Sequence, residues 1–220
     1  MAEPHIKSKT EIKAKLTEGA VGPLLLKLAL PMLLGIISMV AFNLIDTYFV
    51  GQLSAEHLAA ISFTFPVILI VSSISMGLGV GASSVVSRAI GNGDQHMVRR
   101  LTTDSLFLAF TLVLFVCITG LFTIEPLFTL LGAKPNLMPH IKDYMTIWYA
   151  GIPFVVIPMV GNNAIRATGD TKTPSMVMLS AVLINIILDP LLIFGIGPFP
   201  RLELQGAAIA TVAARMVTLI

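Results

Sequence analysis

Apolar stretches of roughly twenty residues recur along this chain, each the length a helix rising about 1.5 Å per residue needs to cross about 30 Å of hydrocarbon. They fall near residues 24–50, 58–90, 102–124, 144–165, 174–196 and 205–220. Backbone N–H and C=O groups at that depth must be bonded within the protein, which a helix does by itself. With 55% hydrophobic and 12% charged residues, the chain stands far from soluble domains, about a quarter of whose residues are charged. The expected fold class is an all-α integral membrane protein, a bundle of six spans.

The stretch at 58–90 exceeds what a bilayer requires and contains Pro66, Gly77, Gly79 and Gly81, so it should tilt, protrude or bend, and its small residues allow close helix contact. The sixth, of about 16 residues, is slightly short of a crossing, so the chain reads as cut within an element. Residues 1–23 are polar and lysine-rich (Lys7, Lys9, Lys13, Lys15) and read as a cytoplasmic lead-in, partly helical, with no cleavable signal.

Lysine and arginine bias in short connections sets orientation. With the N-terminus inside, the tail, Lys27, Arg88, Arg99, Arg100, Arg166, Lys172 and Arg215 place eleven basic residues inside, against Lys134, Lys142 and Arg201 outside. The expectation is a multi-pass protein of the cell membrane with a cytoplasmic N-terminus. The connection 125–143, which contains LFTLLG, then becomes an external interfacial segment.

Two carboxylates break the apolar pattern: Asp46 in AFNLIDTYFVG and Asp189 in INIILDPLLIFG. A carboxylate at bilayer depth costs about 2.5 to 3.5 kcal/mol on the insertion scale, so it usually serves an ion, a proton or a substrate. The first and fifth spans both run outward, and both aspartates lie near the outer ends, where they can face each other. Asn43 and Asp46 are three apart and Asn185 and Asp189 four apart, each pair on one helix face. Amide and carboxylate oxygens suit a hard monovalent cation or a shared proton, since two carboxylates in a low dielectric resist double ionisation. Structural alternatives are an interfacial cap at Asp46 and a turn at Pro190 that uses Asp189. Asn43 and Asn185 also fit ordinary interhelical glue.

Other features point to structure rather than chemistry. Pro31 and Pro66 kink helices by default, although broken helices are also how carriers line ion sites. Tyr144, Trp148 and Tyr149 read as an interfacial aromatic belt. The inner loops IGNGDQHMVRR and RATGDTKTP have the composition of tight turns, and Pro174 suits a first helical turn. The four histidines show no ligand spacing and Cys117 is a lone thiol, so neither a metal site nor an internal disulfide is expected. Basic residues form no stripe with aromatics, which removes a nucleic-acid surface.

Four stretches together, GPLLLKLALPMLLGIISMVAFNLIDTYFVGQLSAEHLAAISFTFP, GASSVVSRAIGNGD, IRATGDTKTP and INIILDPLLIFGIGPFPRLELQGAAIATVAAR, resemble the multidrug and toxic compound extrusion (MATE) family of secondary transporters. The resemblance implies a fold of twelve helices in two six-helix lobes around a V-shaped cavity, of which this chain is the N-terminal lobe. It further implies a cation site on Asp46, Asn185, Asp189 and, from GAAIATVAAR, Thr211; Asn43 stands as a candidate by its spacing alone. The implied activity is antiport: a proton or sodium ion entering from outside bends the first helix, near Pro31, and an amphipathic, often cationic drug leaves. No cofactor beyond the coupling ion is implied; the partners are drug, bilayer and the missing C-terminal lobe.

Three rivals stand beside this. A flippase for lipid-linked sugars or other polyprenyl carriers shares the superfamily; a cavity lined by several arginines would favour it, but the spans carry almost none. An intramembrane aspartyl protease would use two aspartates sharing a proton, and GNGD at 91–94 matches its GxGD pattern, but in a polar loop far in depth from Asp46. A half-size subunit pairing with another lobe is the third. A transporter, not an enzyme, is the expectation.

Overall fold

The computed structural model describes residues 21–219. Over this range the chain is helical, in the order α1 (Val21–Gly51), α2 (Ala55–Gly91), α3 (Gln95–Leu130), α4 (Met138–Ala167), α5 (Lys172–Phe194) and α6 (Glu203–Met216), followed by a 3₁₀ turn, Val217–Leu219. Helices α1 to α5 are each long and apolar enough to cross a membrane. Of the expected polar lead-in at 1–23, only the last three residues fall within the described range, and they open α1.

Helix starts follow local chemistry. Ser54 accepts from the His57 N–H at the head of α2 and Asp94 accepts from the Met97 N–H at 2.9 Å at the head of α3, each satisfying a donor that has no partner within the helix. Asp170 does more before α5: its carboxylate accepts from the Lys172 and Thr173 N–H groups at 3.0 Å and from the Thr173 hydroxyl. These bonds hold the Asp170 carboxyl below the usual carboxylate range. Pro174 lies in that first turn, as expected. Gly195 ends α5 in the left-handed region at φ 71°, and a Cβ there would meet the Arg201 N at 2.6 Å.

One boundary departs clearly from the sequence expectation. The connection placed at 125–143 is confined to 131–137, because α3 continues to Leu130 and α4 begins at Met138. Glu125 and Lys142, polar residues that look like loop, instead pair at 2.7 Å across the two helix ends. α2 is one helix of 37 residues, about 55 Å long, which exceeds the hydrocarbon thickness and must tilt or protrude, as its length in the sequence implies.

Packing divides the bundle into two groups. α4 is central and lies against α2, α3 and α6; α1 packs mainly on α5, and α5 on α6. The main apolar core fills the first group around Phe128, Ile141, Met145, Ile152 and Val156. A smaller cluster of Phe42, Val182 and Ala214 closes the α1–α5–α6 seam. Tyr144, Trp148 and Tyr149, expected in an interfacial belt, are instead buried to 4%, 6% and 2% exposure; α4 is enclosed by its neighbours, and rings that read as a membrane girdle pack into the core.

Candidate functional site

The α1–α5–α6 seam carries the polar groups. On α5, Asn185 and Asp189 are both fully buried, one turn apart, and the Asn185 Nδ2 donates to the Asp189 Oδ1 at 2.9 Å. The helix passes through Pro190 unbroken, although proline has no N–H to give the Ile186 carbonyl. A turn at Asp189 is therefore not what the proline builds. Thr211, on α6, is 8% exposed. Asp46 turns its Oδ1 inward from α1. The charges of Asp46 and Asp189 act on one another, so α1 and α5 bring them together.

Among the described residues, the buried side-chain oxygens without a hydrogen-bond partner are Asp46 Oδ1, Asn185 Oδ1, Asp189 Oδ2 and Thr211 Oγ1. All four belong to this seam. An unpaired buried acceptor costs about 1–3 kcal/mol, and four of them gathered on three helices form an electron-rich cradle that any cation relieves. Oxygen donors of this kind suit sodium, while a proton on one carboxyl turns an acceptor into a donor for its neighbour. No redox or covalent chemistry is needed to give these residues a task.

The sequence missed one member. Tyr144 of α4, buried to 4%, feels the charges of both Asp46 and Asp189, which brings α4 to the wall of the cradle. Its only sequence signal was an aromatic ring inside an apolar span, which is also the signal of an interfacial belt.

Not every expected residue joins. Asn43 is exposed, and its Nδ2 donates to the Met39 carbonyl of its own helix at 3.0 Å; a spacing of three leaves it about 60° around α1 from Asp46, enough to turn it away from the seam. Pro31 lies inside α1, about four turns before Asp46, and the Ser175 hydroxyl of α5 donates to its carbonyl at 2.5 Å. The same hydroxyl donates to the Thr171 carbonyl at 2.8 Å. One proton serves two acceptors, so α1 is fastened to α5 at its proline by a bond that has a ready alternative. Asp94, of the GNGD run, is committed to capping α3 and lies at the opposite end of the helices from Asp46.

The spans also hold more buried guanidinium than the sequence reading allowed. Arg166 and Arg215 each have a buried Nε without a partner, because helix packing, invisible in one sequence, folds them inward. At the other end of the bundle, His57 lies 4.4 Å from His140 and 3.2 Å from the Glu203 carboxylate, beside Asp143 and Arg201.

A family model described as MatE matches residues 31–191. The chain is 52% identical over 204 residues to an FAD transporter of Shewanella oneidensis, covering 93% of this chain and 45% of that one. It is 31% identical to the multidrug export protein MepA of Staphylococcus aureus, covering 87% and 43%. Among solved structures, a MOP superfamily transporter from Pyrococcus furiosus, described for the reverse polarity of its binding pocket, superposes with a TM-score of 0.84 at 32% identity, covering 96% of this chain and 46% of that one. The chain thus spans less than half the length of the relatives it matches.

Proposed function

This chain belongs to the MatE family, and from that premise we propose that it supplies the cation-coupling lobe of a secondary transporter that exports an organic solute in exchange for a proton or a sodium ion. Four unpartnered buried oxygens on α1, α5 and α6 carry the reading. A site that prefers to hold a cation, built where three helices meet, converts ion binding into a change of packing between them. Pro31 gives α1 a place to bend, and the bond from Ser175 can pass to Thr171 as it does so. Ion and cargo are coupled only to the extent that they bind the two packings differently. Orientation follows the basic residues, with the N-terminus in the cytoplasm of a cell-membrane protein and the cradle in the outer half.

For the cargo, the relative at 52% identity weighs more than those at 29–32%. A flavin dinucleotide is therefore the cargo put first, and the amphipathic cations expected from the sequence come second. The test uses vesicles carrying the full-length protein, loaded with FAD or with a fluorescent cationic dye, under sodium and proton gradients imposed separately. Export driven by one gradient and lost in Asp189→Asn supports the reading. Export indifferent to both gradients, or unchanged in that variant, sinks it.

A further inference from the structure

Arg215 is a half-buried charge, its Nε fully enclosed, to which the exchange proposed above gives no task. Its guanidinium carbon stands 4.6 Å from the centroid of the Phe42 ring on α1. Its Nη1 donates to the Met178 sulfur on α5 at 3.6 Å, and its Nε has no partner. Among the described residues no carboxylate pairs with it. The positive charge is therefore held by a ring face and a thioether, neither of which neutralises it.

Its place in the seam is specific. Phe42 is one turn before Asp46 on α1, Arg215 one turn after Thr211 on α6, and Met178 about two turns before Asn185 on α5. α1 and α5 run one way and α6 the other, so all three steps lead from the cradle toward the same, inner end. The apolar cluster of Phe42, Val182 and Ala214, at 4%, 6% and 0% exposure, is stepped three or four residues from the oxygens toward that same end, and its Phe42 ring lies against the guanidinium. The oxygens, this apolar layer and the guanidinium thus fall within one to two helical turns, with Arg215 about 6 Å along the axis from Thr211.

We infer that Arg215 is an electrostatic barrier behind the cation site, which returns the coupling ion outward and prevents it from slipping inward without cargo. An ion that leaves the four oxygens inward loses its ligands, enters an apolar layer and meets a fixed like charge in a low dielectric, where repulsion is strong. Arginines exclude cations from pores in the same way. The inference rests on the proposed cation site and on the orientation given by the basic residues.

The test is cargo-free ion flux in vesicles of the full-length protein, read with a trapped pH dye for protons and with radioactive sodium. Arg215→Met and Arg215→Gln are expected to raise that flux at least tenfold over the parent, while Arg215→Lys, which keeps the charge, stays within about twofold. Adding Asp189→Asn to either leaky variant should abolish the leak, because the ion then has no site from which to pass. Gln preserves a polar end in the same space, so it decides the matter if Met fails to fold. Flux unchanged in Met and Gln, or raised equally in Lys, overturns the barrier, as does a leak that survives the double substitution. If Asp189→Asn alone leaves gradient-driven exchange intact, the cation site itself is wrong and the barrier falls with it; if it abolishes exchange while the Arg215 variants do not leak, only the barrier falls.

Discussion

Asp189 and Asn43 show at single residues what one sequence does and does not disclose. Both are polar groups within apolar spans, but Asp189 is fully buried with an unpartnered oxygen whereas Asn43 is exposed. Replacing Asp189 by Asn keeps the shape and removes the charge, and a hydrogen bond or contact to a charged group is worth about 1.5–3 kcal/mol, so cation affinity should fall by about tenfold to a hundredfold. Thr211→Ala removes one neutral oxygen and should cost about fivefold. Asn43→Ala should change affinity less than twofold. Radioactive sodium binding and proton uptake on the purified full-length protein check all three; Asn43→Ala matching Asp189→Asn would mean that α1 turns a different face to the ion. The carboxylates were legible because their cost in an apolar run demands an explanation. Tyr144 was not, because a ring near a span's end looks the same whether it faces lipid or a neighbouring helix.

At the scale of elements, the spans were legible from length and hydropathy, but their ends were not, since Glu125 and Lys142 read as loop and instead pair across helix ends. The close approach of α5 and α6 had no sequence signal beyond a glycine. A Cβ on Gly206 would meet the Leu192 carbonyl oxygen at 2.5 Å, whereas one on Gly161 would meet nothing within 4 Å. Gly206→Ala should therefore force α6 away from α5, cost about 1–3 kcal/mol as overpacking does, and weaken cation binding by displacing Thr211; Gly161→Ala should do neither. Melting in detergent and ion affinity, measured together, separate the two. The start of α5 adds a pH dependence. The Asp170 carboxyl lies below its ordinary value because Thr173 and Lys172 bond its ionised form, so its stabilisation of the helix start is complete above the ordinary carboxylate range and is lost as pH falls through the depressed value. Asp170→Asn should flatten the melting temperature below about pH 4; an unchanged acid slope would show that the cap contributes nothing there.

On the scale of the whole molecule, sequence order and spatial order part company. Six successive helices give no hint in their order that α4 occupies the centre while α1, first in the chain, packs at the side against α5. α1 leaves Leu30, Leu33, Leu34, Ile37 and Leu44 exposed, an apolar face that a bilayer or further protein must cover, and the relatives it matches are more than twice as long. The four unpartnered oxygens nevertheless come from α1, α5 and α6 of this chain alone, so the direction from which the proposed ion enters depends on which way the lobe sits. Orientation is therefore the property on which both the exchange and the Arg215 barrier turn. Asn92, in the α2–α3 connection, and Asn136, in the α3–α4 connection, are both exposed and at opposite ends of α3. In the full-length protein with Cys117 and any other cysteine replaced, a cysteine at Asn136 should react with a membrane-impermeant maleimide added to intact cells, and one at Asn92 only after the membrane is opened. The reverse pattern would put the guanidinium on the outer side of the cradle, where it would oppose ion entry instead of inward escape.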